Sequence, residues 1–451
     1  MSVIFKNKAL IIILFLSLVL PLAYSLIYRI PPVVDAQAYD RIAMNIVDGF
    51  GFKEDRAQSY QFDTAIIRAG PGYEFFLAGL YAIFGHHYEP VWAAQAFLHA
   101  LSVLFLFLIC RNVFEEQGVM IGLLAAALYG LHPDLIEISA MLMTETLYLF
   151  LIILTLWFFT EIFYSNKQLW WFGIIFGMVT GLAILTRPPV VLFAPLIGGV
   201  LLYQKKYCSF GWFIFGLVTT LAPWTVRNYL IYHQFILTTL IGSYNLWGGN
   251  TLRSVGGQIS GGFNPLTAYT SVYGFFDLKS RASQEFFVFV FGYPLVFLKL
   301  CFLRFIRFFS LIRPMGFWFY QSGLKQIMFV ASSALAGVAL FAVGWAGAIA
   351  ALRAKKLILF MFVLFLFVSP LALLPAVVES RYRFQAYPFL AIFGAYAIVR
   401  WCALGVWWKQ RDFLVSTAVF IVISVLDIFL NSGVVIEHIK QLLSVGPMSS
   451  V

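Results

Sequence analysis

Apolar runs long enough to cross a bilayer recur along almost the whole of this chain, and they leave room for little but a bundle of membrane helices. A crossing needs about 20 apolar residues. By that measure the clearer spans run approximately 9–29, 90–110, 118–132, 141–163, 169–186, 188–203, 210–230, 324–350, 357–375, 386–407 and 413–432. Only 11% of residues are charged and mean hydropathy is +0.89, whereas a soluble domain carries about 25% charged residues. The fold class is therefore an all-α polytopic membrane protein. Residues 72–87 are apolar but short, and read as a helix lying along or dipping into the outer face. Residues 283–311, broken by Gly292 and Pro294, make no crossing or two, so the expected total is 11 or 13 transmembrane helices.

Charge placement sets the expected orientation. The 30 basic and 20 acidic residues give +10. No basic run is long enough to track a nucleic-acid backbone. With Lys6 and Lys8 inside, the connections holding Arg111, Lys167, Lys205/Lys206, Arg353/Lys355/Lys356 and Lys409/Arg411 all fall on the cytoplasmic side. Long outer loops then lie at about 30–71 and 231–283. The expected organisation is an N-terminal module (1–230), an extracytoplasmic loop (231–283) and a C-terminal transmembrane module (284–451). No small-residue cleavage site follows the first apolar run, so it reads as an uncleaved span. Cys110, Cys208, Cys301 and Cys402 form no CxxC pair and read as packing residues.

Two acidic segments stand out against this background. They are DAQAYDRIAMNIVDGFGF from Asp35 and HPDLIEISAMLMTET from His132. A carboxylate beside lipid is costly unless it is paired or wetted. Asp35 has two readings, a helix N-cap and a catalytic or metal-binding carboxylate. Glu145, followed at once by the uncharged LYLFLIILTLWFF, is a cap with Thr144 or a functional carboxylate facing the same cavity as Asp35. Arginines close other segments on the same expected face: Arg68 in RAGPGY, Arg187 in TRPP, Arg227 in APWTVRNY, Arg381 and Arg383 in ESRYRF. One such Arg can simply snorkel to headgroups. Several on one face are better explained by phosphate recognition, which suits the planar guanidinium. Tyr39 and Tyr73, in the same motifs, join Arg68, Arg187, Arg227, Arg381 and Arg383 as candidate substrate-binding residues. His86-His87 is a weak metal pair, because adjacent helix residues point different ways. GxGxxG, GxxxxGK[ST] and Gx[ST]xG are all absent, which leaves nucleotide-dependent and serine-hydrolase chemistry without support.

The ordered motifs DxxxYDR…GxGF, RxGPGY, HPD…TETLY, GLAxLTRPP, APWTVRNY, GSYNLWGGN and RYRFxAYPFLAIFGAY run from about residue 9 to 400. Together they resemble the bacterial relatives of the dolichyl-phosphate-mannose–protein mannosyltransferases. These belong to the C-type glycosyltransferase superfamily, which also holds the aminoarabinose transferase of lipid A. The resemblance implies a polyprenyl-phosphate-linked sugar as donor and reaction at the outer face of the plasma membrane. It places the catalytic aspartate at Asp35, a second acidic residue at Glu145, and donor-phosphate ligands best at Arg227 and Arg381. A divalent metal ion, if one is used, would be held by Asp35 and Glu145. The soluble lumenal domain of the eukaryotic enzymes has no counterpart here, nor is there a clear match to the zinc ligands of the aminoarabinose enzyme. The competing reading is a flippase or transporter of a lipid-linked or anionic substrate, which would place its charges near mid-bilayer on broken helices.

Overall fold

The computed structural model describes residues 7–165, 169–254, 256, 264–310, 323–404 and 411–430, and Lys6, Lys167 and Lys409 lie outside them. Every regular element among these residues is helical. In chain order the helices are α1 (Lys8–Tyr28), α2 (Asp35–Val47), α3 (Pro71–Phe84), α4 (Tyr88–Val113), α5 (Gly118–Gly130) and α6 (Pro133–Ser139). Next come α7 (Thr144–Tyr164), α8 (Trp170–Thr186), α9 (Phe193–Tyr203), α10 (Tyr207–Tyr232), α11 (Ile241–Gly249) and α12 (Pro265–Tyr273). The chain continues through α13 (Leu278–Gly292), α14 (Pro294–Phe309), α15 (Gly323–Arg353), α16 (Leu357–Leu373), α17 (Tyr387–Leu404) and α18 (Arg411–Leu430).

Six of these are long and apolar enough to cross a membrane alone: α1, α4, α7, α10, α15 from Leu324, and α18. Two bent pairs, each a broken span or a re-entrant loop, bring the number to as many as eight. The first joins residues 115–130 to α6 at 59°, where Pro133 starts a new helix. The second joins α13 to α14 at 106°, at the Gly292–Pro294 break that the sequence marked. The other apolar runs are helices too, but at about 1.5 Å per residue α8 and α16, each of 17 residues, fall short of the ~30 Å hydrocarbon core. The chain is an integral, multi-pass membrane protein. In α3 the expected short helix at 72–87 is present, and it packs on α2 and the end of α8.

Glycine fixes how closely these helices approach. Gly173, Gly177 and Gly181 recur every four residues on α8 and so share one face, which lies on α10. A Cβ at Gly177 would collide with the Phe213 carbonyl, and one at Gly216 of α10 with that of Ile174. On α15, Gly347 meets the Phe393 carbonyl of α17 in the same way. With little hydrophobic gain from joining helices already in lipid, such backbone-to-backbone packing supplies much of the cohesion. A further close approach positions the polar site. Gly70 and Gly72 sit directly against Leu185 and Thr186, so the RAGPGY turn lies on the C-terminal end of α8.

Candidate active site

Five segments that are distant in sequence carry their charges to one place. Asp35 opens α2, and Arg68 precedes the turn that starts α3. Glu145 is in the first turn of α7, while Arg187 follows α8. Arg381 lies in a 3-10 turn, Ser380–Ala386, that leads into α17. Pro188 and Pro189 cannot continue α8, so the chain turns there and leaves Arg187 at the helix end.

These side chains form one alternating chain of ion pairs. Arg68 holds Glu54 at 2.6 Å and Asp35 at 3.4 Å. The other Asp35 oxygen accepts from Arg381 at 2.6 Å. Arg381 lies 3.9 Å from Glu145, which accepts from Arg187 at 2.7 Å. Three guanidiniums thus alternate with three carboxylates. Arg187 also lies over the rings of Tyr382 and Tyr148, at 5.0 and 5.6 Å, a cation–π arrangement that helps keep a charge in place away from water. The Glu145 and Arg187 side chains are 2% and 9% exposed, so each depends on the other for compensation.

Asp35 is not a helix cap here. The N-cap position falls on Val34, without a side-chain bond, and the Asp35 carboxylate is taken by arginines. Burial alone would raise its pKa. Arg381, with Arg68 and Arg187 behind it, outweighs that and holds the carboxyl below its ordinary value. Burial likewise disfavours charge on Arg381, yet Asp35 and Glu145 keep it protonated.

Two residues in this region carried no signal strong enough to single them out. Glu54 stands in an outer loop where acids are common, and Asp63 makes it a partner for Arg68. The Asp63 carboxylate accepts from the backbone amides of Glu54, Asp55 and Ala65 at 2.8–2.9 Å, which folds the loop and aims Glu54 inward. Glu74 on α3 is fully buried, and neither of its carboxyl oxygens has a hydrogen-bond partner. Burial, opposed by its own amide and by Arg68, pushes its pKa up to about 8.

The other sequence candidates are not links of this ion-pair chain, although Tyr39 lies within electrostatic reach of Asp35 and Arg381. Tyr39 and Tyr73 are buried against each other edge to face at 5.6 Å, and Tyr73 donates to Gln95. Arg383 is 1% exposed and donates to the Ser310 carbonyl. Arg227 sits among aromatic rings, with its guanidinium 4.8 Å from Trp224, 5.1 Å from Tyr60 and 5.7 Å from Phe52. A Lys keeps the charge of such a site but loses the flat stacking surface. Arg227→Lys is therefore expected to lower thermal stability by about 0.5–2 kcal/mol, which thermal unfolding of the purified protein checks.

The carboxylates of this site are engaged by arginines. Among the described residues, no group of three or more His, Cys, Asp or Glu side chains is placed to hold a metal ion. Asp35 and Glu145 alone do not make a protein cage for calcium, which takes six or more oxygen ligands, whereas magnesium is commonly held by one or two carboxylates with substrate phosphate and water.

Comparison with known proteins bears out the resemblance read from the motifs. Residues 68–226 match the family model described as dolichyl-phosphate-mannose-protein mannosyltransferase. That stretch includes Arg68, Glu145 and Arg187. No curated protein sequence matches the chain. Among solved structures, the apo oligosaccharyltransferase of Archaeoglobus fulgidus aligns with a TM-score of 0.53 at 14% identity, over 99% of this chain and 57% of its own. This likeness concerns the fold. The chain spans little more than half the length of the oligosaccharyltransferase chains it matches. ArnT from Cupriavidus metallidurans, solved bound to undecaprenyl phosphate, aligns over 96% of this chain and 72% of its own at 14% identity. Its TM-score of 0.43 is too low to argue from.

Proposed function

We propose that this chain is a membrane glycosyltransferase that moves a sugar from a polyprenyl-phosphate donor to an envelope acceptor at the extracytoplasmic face of the plasma membrane. The observation that carries this reading is the alternating chain of Arg68, Asp35, Arg381, Glu145 and Arg187. A phosphate-linked donor needs two things that this arrangement supplies. Guanidiniums stabilise negative charge as it grows on the leaving phosphate. A carboxylate takes the proton of the incoming hydroxyl.

The acceptor hydroxyl oxygen bonds to the anomeric carbon as the bond from that carbon to the phosphate oxygen breaks. The bonding pair leaves with polyprenyl phosphate, and the hydroxyl proton passes to Asp35. Attack opposite the leaving group inverts the anomeric centre. Arg381, shared between Asp35 and Glu145, and Arg187 are the phosphate ligands in this scheme. Glu145 orients them both. Whether the sugar is a hexose or a pentose depends on contacts outside this network.

A transporter would carry such charges on broken helices near mid-bilayer. Here they stand at helix ends, which favours surface chemistry over passage. The decisive test compares envelope glycans and glycolipids by mass spectrometry in cells with and without the protein. Loss of one glycosylated species, restored by the parent gene and not by Asp35→Asn, is the expected result. An unchanged glycan profile sinks the proposal.

Orientation has its own test. Reporter fusions after Lys206 and after Arg353 are expected to read cytoplasmic, and one between Asn245 and Thr251 extracytoplasmic. A cytoplasmic signal from the last would put the proposed chemistry on the wrong side.

A further inference from the structure

Beside the ion-pair chain lies a cleft of about 1070 Å³ that the proposed donor chemistry leaves unused. Its walls are the polar face of α2, the loop from Glu54 to Thr64, His86, α12 and Phe275. We propose, on the basis of the transferase reading above, that this cleft binds the acceptor, and that the acceptor is a neutral or amine-bearing oligosaccharide. Three observations converge on this.

The first is position. Glu54 lines the cleft and shares Arg68 with Asp35, so the cleft lies one guanidinium away from the proposed base. The second is charge. Asp40, Glu54, Asp55 and Asp63 line the cleft against Arg41 and Arg56; Arg56 is paired with Asp48, Glu54 with Arg68, and Asp63 accepts from backbone amides, which leaves Asp40 and Asp55 against Arg41. This acid-rich lining repels a phosphate or a carboxylate, while carboxylates accept readily from hydroxyls and ammonium groups. An anionic headgroup is therefore the wrong ligand.

The third is the texture of the walls. On α12, Thr270 and Ser271 donate to backbone carbonyls of their own helix, which leaves their oxygens as acceptors. Phe62 and Phe275 add apolar surface of the kind that the C–H faces of a sugar ring cover. The volume slightly exceeds the ~300–1,000 Å³ typical of small-ligand sites, which suits several linked rings. At the wall of the cleft itself Asp40 accepts from Tyr81 at 2.7 Å and meets His86 at 2.9 Å. These contacts hold α2 against α3 and keep the wall rigid.

The test uses full-length protein in detergent on an array of neutral, amine-bearing and acidic oligosaccharides, presented free and as glycolipids. Retention on neutral or amine-bearing glycans, at least about tenfold above acidic ones, is expected, equivalent to roughly 1.4 kcal/mol. Thr270→Trp and Thr267→Trp, each filling the cleft, should lose that retention while undecaprenyl phosphate still binds. Preference for acidic glycans, retention of none, or retention unchanged in both tryptophan variants overturns the assignment. Loss of undecaprenyl phosphate binding in both variants assigns the cleft to the donor instead. A parent that retains glycans but never binds undecaprenyl phosphate overturns the transferase reading, and the acceptor role with it. Glycolipid-only retention identifies a lipid-borne acceptor and supports the proposal.

Discussion

Asp35→Asn is expected to lower sugar transfer at least about 100-fold, the scale lost with a general base, while the protein still folds and inserts. Asparagine keeps the shape and leaves an oxygen for Arg381 to bond, so the neighbouring ion pairs survive. What disappears is the ability to take a proton. Transfer measured with purified protein and a defined polyprenyl-phosphate donor checks it, and near-normal turnover by the variant removes Asp35 from the mechanism.

The same residue sets a pH signature. Its pKa lies below the ordinary carboxylate value because Arg381, Arg68 and Arg187 outweigh the effect of burial. The lowered value means that its contribution to stability is fully present above the usual unfolded pKa. That contribution is lost as pH falls through the folded one. Activity should follow the same acid limb. Arg381→Gln removes the largest opposing charge, so the limb should move to higher pH. A limb that stays in place would mean that another group controls it.

Glu145→Ala is expected to produce the largest loss of stability, about 3–5 kcal/mol, because it strands a buried charge on Arg187. The pair is 2.7 Å apart and almost wholly shielded from solvent. Replacing both partners, as Glu145→Gln with Arg187→Gln, removes the stranded charge and should recover much of that loss. Unfolding of Glu145→Gln, Arg187→Gln and their double in one detergent gives the coupling energy directly, about 0.5–3 kcal/mol for residues in contact. Strict additivity would show that the pair is a coincidence of packing.

The sequence made part of this site legible for a physical reason. Charges at the ends of apolar helices are expensive, so Asp35, Glu145, Arg187 and Arg381 stood out against their surroundings. Glu54 did not, since an acid in a polar loop costs little, and only the folded loop around Asp63 makes it a partner of Arg68. Arg227 shows the converse. In sequence it looks like Arg187, a lone cation at a helix end, yet its partners are rings from Phe52, Tyr60 and Trp224. Which aromatic residues close around a cation is decided by packing between distant segments. Arg381 and Arg383 make the point within one turn. They are two residues apart, which in a 3-10 turn turns them to different sides. The first reaches Asp35 and the second the Ser310 carbonyl. The break at Gly292 and Pro294 was readable, but its 106° angle was not.

In the proposed transferase mechanism, the equal numbers of positive and negative groups in the ion-pair chain would shape turnover. A sugar-linked phosphate is a diester with a single negative charge, and the polyprenyl phosphate left behind can carry almost two. As that second charge appears, Asp35 gains a proton and gives up its own. The site as a whole keeps its total charge, but Arg381 exchanges one anion for another. By that mechanism spent carrier lipid would be held more firmly than fresh donor for as long as Asp35 stays protonated. Release of that proton lets the carboxylate reclaim Arg381 and displace the phosphate. In this scheme the slow part of the cycle is the clearing of the site, and accumulated carrier would act as a competitive brake.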